Sequence, residues 1–430
     1  MTKSKYQKMK KLIFLGAIQL ITAVSVSNAQ SQLTINDCYK RAEENYPLIK
    51  QRELIIKTSA YTIDNIQKGY LPQVNIIGQA TYQSAVTEVP IKVPGVNIAA
   101  LSKDQYKVYG ELNQVIYEGG VLEQQKQLQR ANEAISRQQL DAELYQLKGR
   151  VNQLFFGTLL IDDQIKQNEL LIKDLQLGLN KVQAAINNGT AFKSNGDLIK
   201  ADLLKNRQHT IELRASRKAY IDMLELFIGK IGSDGIILVR PEPVSVSRQI
   251  NRPELQVYSE QSKSLDVQNK LLTAKALPRL GFFAQGGAGK PGLNMLSNSF
   301  DAYYIGGIKL TWSPTVFYTM KKDKALIDIN RENIEVQKET FLFNTNLTIK
   351  QQDAEINKYE QLLASDDEII ELRDKVKTSA MAQLENGVIN GNDFLTEVNA
   401  EDQARQNKVL HQTQLLMAQY NQQTTTGNQQ

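Results

Sequence analysis

From Leu140 to Ile186 the chain carries a stripe through Leu144, Leu147, Val151, Leu154, Thr158, Ile161, Ile165, Asn168, Ile172, Leu175, Leu179 and Val182, with steps alternating four and three. That is a period of 3.5. A straight helix has 3.6 residues per turn, so a stripe held this long in register predicts helices supercoiled against neighbours. The surrounding stretch, Gly119 to Asn188, reads as one very long helix opened by Gly119-Gly120 and closed by Asn187-Asn188-Gly189, where Asn and Gly permit a left-handed C-cap. A second helix restarts at Asn195-Gly196-Asp197 and runs to about Gly229.

Upstream the period differs. Thr34-x-x-Asp37 is a capping box opening a short helix that stops before Pro47, and a further helix spans Pro47 to about Lys68. Gln73 to Val86 and Tyr106 to Tyr117 then alternate with period two, as strands do. Val108, Gly110 and Leu112 share one face of the second strand, and Lys107, Glu111 and Asn113 share the other. A loop with Pro90, Pro94 and Gly95 joins them.

After a connector from Ile231 to Val246, with an apolar run at Ile236 to Val239, the same order returns. A helix opens at Arg252-Pro253 and ends at Leu277-Pro278, matching Leu71-Pro72. Strands follow at Leu280 to Ala288 and Tyr303 to Trp312. A long helix runs from about Pro314 to Glu385, its stripe repeating every seven at Ile349, Ile356, Leu363, Ile370, Lys377 and Leu384. Gly387 closes it, and a last helix from Asn392-Asp393 reaches about Tyr420. The expected organisation is two structural repeats, residues 30–240 and 251–420, each with a strand pair (73–117, 280–312) and a long helical hairpin (119–229, 314–420). A polar tail, 421–430, is expected to be disordered.

Composition narrows the setting. Lys3, Lys5, Lys8, Lys10 and Lys11 precede an apolar run from Leu12 to Val26 and the small-residue exit Ser27-Asn28-Ala29, the pattern of a secretory signal over 1–29. The whole chain has 51 Lys+Arg against 46 Asp+Glu, and removing those five lysines leaves a formally neutral mature protein. Its basic pI therefore says nothing of nucleic acid or anionic surfaces. The single cysteine, Cys38, excludes an internal disulfide framework and is poorly placed for lipidation. The two histidines, His209 and His411, form no metal-ligand spacing. No cofactor is expected.

No later stretch has 18 consecutive apolar residues, so the mature chain could enter a membrane only as a closed barrel. The strands have about the 9–11 residues a tilted spanning strand needs, with aromatics such as Tyr106, Tyr117, Tyr304 and Trp312 placed near their ends, as at membrane interfaces. The alternative is a soluble two-sheet cap on a coiled coil. Each repeat brings two strands, and a barrel needs about eight, so several chains would have to share one.

Read together, Leu33-Thr34-Ile35 leading to Asn45-Tyr46-Pro47, Leu71-Pro72-Gln73, Tyr117-Glu118-Gly119-Gly120 and Gly189 followed by Asp197 resemble the repeat of the TolC-like outer-membrane efflux proteins. Arg252-Pro253-Glu254-Leu255, Leu277-Pro278 and Gly387 followed by Asp393 mark its second copy. The resemblance covers essentially the whole mature chain. It implies a fold that is mainly α with a small β part: a homotrimer whose four strands per protomer form a 12-stranded barrel in outer-membrane lipid, continued by an α-barrel of coiled-coil hairpins in the periplasm. It also implies a passive conduit working with a periplasmic adaptor protein and an inner-membrane transporter, in efflux or type I secretion.

The family's gate lies at the hairpin turns, here Gly189 to Asp197 and Gly387 to Asp393. Asp393 matches a pore-facing acid, while the alternative reading is a helix cap. Where some members place a second acid three residues on, this chain has Thr396, with Glu397 beside it. Leu384 and Ile389 stand where a Tyr and a basic residue form the members' polar latch, so closure by apolar packing is the expectation here. No nucleophile, metal or phosphate-loop pattern points to catalysis. Gln285 to Lys290 is Gly-rich but lacks the phosphate-loop spacing. The other reading kept open is a periplasmic coiled-coil adaptor or scaffold that does not span the membrane.

Overall fold

The computed structural model describes residues 32–87, 100–229, 236–245 and 247–428. The expected signal, the Pro90-to-Gly95 loop and part of the connector lie outside them. In chain order the elements are β1 (Gln32–Leu33), α1 (Ile35–Asn45), α2 (Gln51–Gln67), β2 (Gln73–Tyr82), β3 (Asp104–Tyr117), α3 (Val121–Tyr145), α4 (Leu147–Asn187), α5 (Lys193–Ile228), β4 (Ile237–Leu238), α6 (Pro253–Lys275), β5 (Arg279–Lys290), β6 (Asp301–Thr311), α7 (Val316–Glu385) and α8 (Gly391–Thr426). The chain is mainly helical, with a small sheet part. It divides into two compact units that each draw on both repeats: Met1–Asn45, Val151–Pro243 and Leu362–Met417 in one, Tyr46–Arg150, Val244–Gln361 and Ala418–Gln430 in the other.

In the first unit β1 and β4 form a two-stranded parallel pair. Thr34 and Asp37 make the capping box of α1: the Asp37 N–H donates to Thr34 Oγ1, and the Thr34 N–H to Asp37 Oδ2, both at 3.2 Å. The Thr34 hydroxyl also donates to Asp37 Oδ2 at 2.6 Å, and this bond, with that from the Thr34 N–H, holds the Asp37 carboxyl below its ordinary pKa. At the far end of α1, Asn45 Nδ2 donates to the Ile228 carbonyl of α5 at 3.1 Å. The 3.5-period stripe faces inward: Val151, Thr158, Leu175 and Val182 are buried, and Ile165, Ile172, Leu179 and Ile186 are half-buried. Its one amide, Asn168, is buried too, and donates to Asn206 O and Thr210 Oγ1 of α5, each at 2.8 Å. A polar residue in the stripe thus sets the pairing of the α4–α5 hairpin, as buried amides set register in coiled coils.

In the second unit β2, β3, β5 and β6 form one antiparallel sheet in that order. The two hairpins of the repeats meet along β3 and β5. Below them Val121 and Leu128 of α3 pack on Leu271 and Ala274 of α6.

Two expectations are corrected. The stretch from Gly119 to Asn188 is two helices, interrupted at Gln146, whose N–H bonds Glu143 O three residues back at 3.2 Å. Neither Pro nor Gly occupies the break. Tertiary bonds do: the Tyr145 hydroxyl donates to Thr424 O at 2.9 Å, and the Arg252 guanidinium lies over the Tyr145 ring. The last helix also continues past Tyr420 to Thr426, so 421–426 is not a tail. Gln422 donates to Asp353 at 2.5 Å, Gln352 to Thr425 at 3.0 Å, and Thr426 is fully buried.

Candidate functional site

Two regions carry the expected functional residues, one in each unit. The first is the sheet. Cross-strand partners share a face, so its register sorts the side chains. One face carries the rows Val74–Leu112–Ala284–Gly306 and Ile76–Gly110–Gly286–Tyr304, with Phe282–Ile308 and Leu280–Leu310 beneath. The other carries Asn75–Glu111–Gln285–Ile305, Gln79–Lys107–Gly289–Asp301, Gly281–Lys309 and Arg279–Thr311. Lys107, Glu111, Arg279, Asp301 and Lys309 all fall on this second face. Asp104 and Lys290, the charged sheet residues on the apolar face among the described residues, sit at strand ends and pair with each other at 3.7 Å.

The apolar face is open in the single chain: Ile76 is 84%, Tyr304 85% and Ile308 69% exposed. So large an apolar patch requires a partner surface or lipid. The polar face is internally bonded, Glu111 accepting from Asn113 Nδ2 at 2.5 Å and from Gln285 Nε2 at 2.6 Å. β3 and β5 approach closely beside it. A Cβ on Gly287 would lie 2.2 Å from Val108 O, so only glycine fits there. β2 and β6 are each paired on one side only, leaving both sheet edges open to further strands.

The register also places the aromatics. Tyr117 and Trp312 stand at the helix end of the sheet, where Trp312 Nε1 donates to Ala276 O at 3.1 Å. Tyr106, opposite Ala80 and Lys290, stands at the other end. From Tyr106 to Tyr117 is roughly 36 Å along the strand at about 3.3 Å per residue, which a tilt of about 40° reduces to roughly 28 Å, close to the ~25 Å height of an outer-membrane apolar band. Tyr304 departs from the expectation. Fourth in its own strand, it stands at mid-height opposite Gly286, because the strands are staggered, and its ring occupies a row otherwise filled by Gly110, Gly286 and Ile76.

The second region is the pair of hairpin turns. Gly189 and Gly387 have φ of +73° and +70°, and each ends its helix in the same way. The Gly189 N–H bonds Ile186 O at 3.0 Å and the Thr190 N–H bonds Ala185 O at 2.9 Å, while Gly387 and Val388 bond Leu384 O and Gln383 O at 3.1 and 2.9 Å. These are paired Schellman caps. The turns are tied together: the Gly391 N–H donates to Asn195 Oδ1 at 3.2 Å, and Lys181 pairs with Glu385 at 2.6 Å.

Behind them Leu175, Val182, Ile199, Leu203, Leu384, Phe394 and Val398 form one apolar cluster, with Ile389 packed on it. Leu384 and Ile389, the two positions noted for lacking a polar latch, are therefore part of an apolar core.

Asp393 is exposed, and its carboxylate accepts the Asn390 N–H at 3.3 Å while Asn390 Oδ1 accepts the Asp393 N–H at 3.0 Å. It closes a capping box and, with Glu397, also lines an open pocket of about 350 Å³ beside Lys375, Ser379 and Gln383. Asp197 is exposed but stands differently. Both turns have five residues between helices, so the position matching Asp393 is Asn195, and Asp197 lies further along α5.

A network that the sequence alone did not single out lies nearby. Lys377, at a heptad position, reaches Asp174 at 3.0 Å and Glu401 and Asp374 at 3.3 Å, and Arg405 also pairs with Glu401. Burial works against the Lys377 ammonium, but these partners outweigh it and hold its pKa above the usual lysine value. A lysine in an otherwise apolar stripe is the signal that could have found it.

Among the described residues no helix is long and apolar enough to cross a membrane, and no group of three or more His, Cys, Asp or Glu could hold a metal ion. No protein-family model matches the sequence, and no curated protein matches it. Solved structures do. The chain is similar to CusC, studied for conformational changes accompanying folding and transmembrane channel formation, at a TM-score of 0.66 and 13% identity over 92% of each chain. It is similar to the Vibrio cholerae outer membrane protein VceC at 0.62 and 10%, over 92% of this chain and 96% of that one. The open-state MtrE outer membrane channel of Neisseria gonorrhoeae matches at 0.63 and 13%, over 92% and 89%. At such identities the likeness is one of fold, and over nearly its whole length the chain has the fold of the TolC-like outer-membrane channels its repeated motifs resemble.

Proposed function

We propose that this chain is the subunit of a trimeric outer-membrane channel, a passive conduit in a tripartite efflux or type I secretion system. The observation that carries this is the two-faced sheet, with an exposed apolar face, charges gathered on the opposite face, and open edges at β2 and β6. Lipid is the solvent that an exposed apolar band of this height suits. Four strands cannot close, and an open edge in lipid leaves backbone groups unsatisfied. Three copies joined β6 to β2 would make a closed barrel of 12 strands with the polar face inside.

In this reading the helical hairpins form the periplasmic conduit and dock a periplasmic adaptor, an inner-membrane transporter supplies the energy, and the chain is exported by a cleaved signal. The hairpin turns act as the gate, held by the apolar cluster around Phe394 and Leu384, with Asp393 and Glu397 toward the pore.

Membrane fractionation with an unheated detergent gel tests it. The expected outcome is resistance to extraction by high salt, and an oligomer that survives unheated detergent and collapses to the monomer on boiling. Release by salt with no surviving oligomer contradicts the channel and fits a peripheral periplasmic adaptor.

A further inference from the structure

At the helix end of the sheet a cavity of about 570 Å³ opens on the polar face, lined by Asn113, Phe283, Glu118 and three cations, Lys275, Arg279 and Lys309. Arg279 pairs with Thr311 and Gly281 with Lys309, so Arg279 and Lys309 are diagonal neighbours on one face, roughly 7–8 Å apart at the backbone. Like charges this close repel. Among the described residues none of the three has a carboxylate within ion-pair distance. The one lining carboxylate is engaged elsewhere: Glu118 accepts the Val121 N–H and the Tyr70 hydroxyl. Glu111, further up the same face, is held by Asn113 and Gln285 and attracts Lys309 only beyond ion-pair distance.

We infer that Lys275, Arg279 and Lys309 form an anion-binding site on the lumen side of the sheet base, which engages solutes bearing a carboxylate or phosphate group as they pass. The inference rests on reading the polar face as the lumen. The guanidinium supplies two parallel donors to a planar or tetrahedral oxyanion, and the ammonium groups supply point charges. Phe283 gives the organic part of such a solute an apolar wall. Repeated around a threefold axis, the three cations become a positive ring, which raises the local concentration of anions and favours their passage.

The test is planar-bilayer recording of the detergent-purified oligomer under a KCl gradient, with and without inorganic phosphate. Arg279→Gln combined with Lys309→Gln is expected to shift the chloride-to-potassium permeability ratio toward potassium by at least about twofold. Phosphate is expected to reduce the wild-type current and to leave the variant's current unchanged. Lys275→Gln, on the helix side of the cavity, is expected to shift both readouts in the same direction and serves where the double variant does not assemble. A conducting variant with wild-type permeability ratio and phosphate sensitivity overturns the site while leaving the channel standing. A wild-type oligomer that passes no current removes the channel reading, and the site with it.

Discussion

Asp402 shows how one buried carboxyl ties this protein's stability to pH. It is 8% exposed on α8. Burial pushes its pKa up to about 6 and Glu401 adds to the rise, against the opposing pull of the Gln406 hydrogen bond, Arg405 and His209. The folded state therefore holds this proton more tightly than the unfolded chain does. The stabilisation is present in full below the unfolded pKa of 3.8 and is lost as pH rises toward 6. At neutral pH the ionised group costs on the order of 2–3 kcal/mol relative to its protonated form. Asp402→Asn, whose amide oxygen can still accept from Gln406, is expected to raise the thermal midpoint at pH 7.5 and to change it little at pH 4. An equal shift at both pH values would contradict that account. Cys38 behaves differently. It is fully buried and burial pushes its thiol up to about 12, so it is inert as a nucleophile at neutral pH. The sequence carried the Thr34–Asp37 cap in full, because a capping box is local. It carried nothing of Asp402, whose burial comes from packing between distant segments.

At the scale of elements, helix ends were the most legible feature. Gly189 and Gly387 mark the hairpin turns because an αL cap needs glycine or asparagine, wherever the helix later packs. The break at Gln146 was hidden because its causes, Thr424 and Arg252, lie far along the chain. The extension of α8 was hidden for the same reason: a polar segment reads as a tail until Asp353 and Gln352 supply partners.

The turns themselves yield two predictions. Phe394 is 2% exposed within the tip cluster and its ring lies against Gly178. Phe394→Ala is expected to cost about 3–5 kcal/mol of local stability, and to appear as faster proteolysis at the turns and more frequent channel opening in bilayers. Wild-type proteolysis and gating would remove that cluster from the closing device. Asp393→Asn is expected to lower cation preference, or block by divalent cations. If both are unchanged, Asp393 serves α8 as a cap alone.

Across the whole molecule the duplication was the most informative signal, because turns and prolines recur in the same order within the chain, Leu71-Pro72 and Gly189 in one copy and Leu277-Pro278 and Gly387 in the other, whereas overall identity to similar folds is only 10–13%. Alternation within each strand revealed its two faces, so Val108 was already separable from Lys107. Stagger between strands was not legible, since it depends on which residues pair across the sheet, and that is why Tyr304 was expected at a rim and stands at mid-height.

The central claim is that the apolar face meets lipid and the polar face meets water. Ile308 and Lys309 are neighbours in β6 on opposite faces, and the buried Cys38 stays silent to thiol reagents. The direct measurement is labelling of Ile308→Cys and Lys309→Cys in intact outer membranes with a small water-soluble maleimide, each compared with its denatured state. The account predicts that Lys309→Cys labels in the membrane, whereas Ile308→Cys labels only after denaturation. Equal labelling of the two positions in the membrane would contradict it.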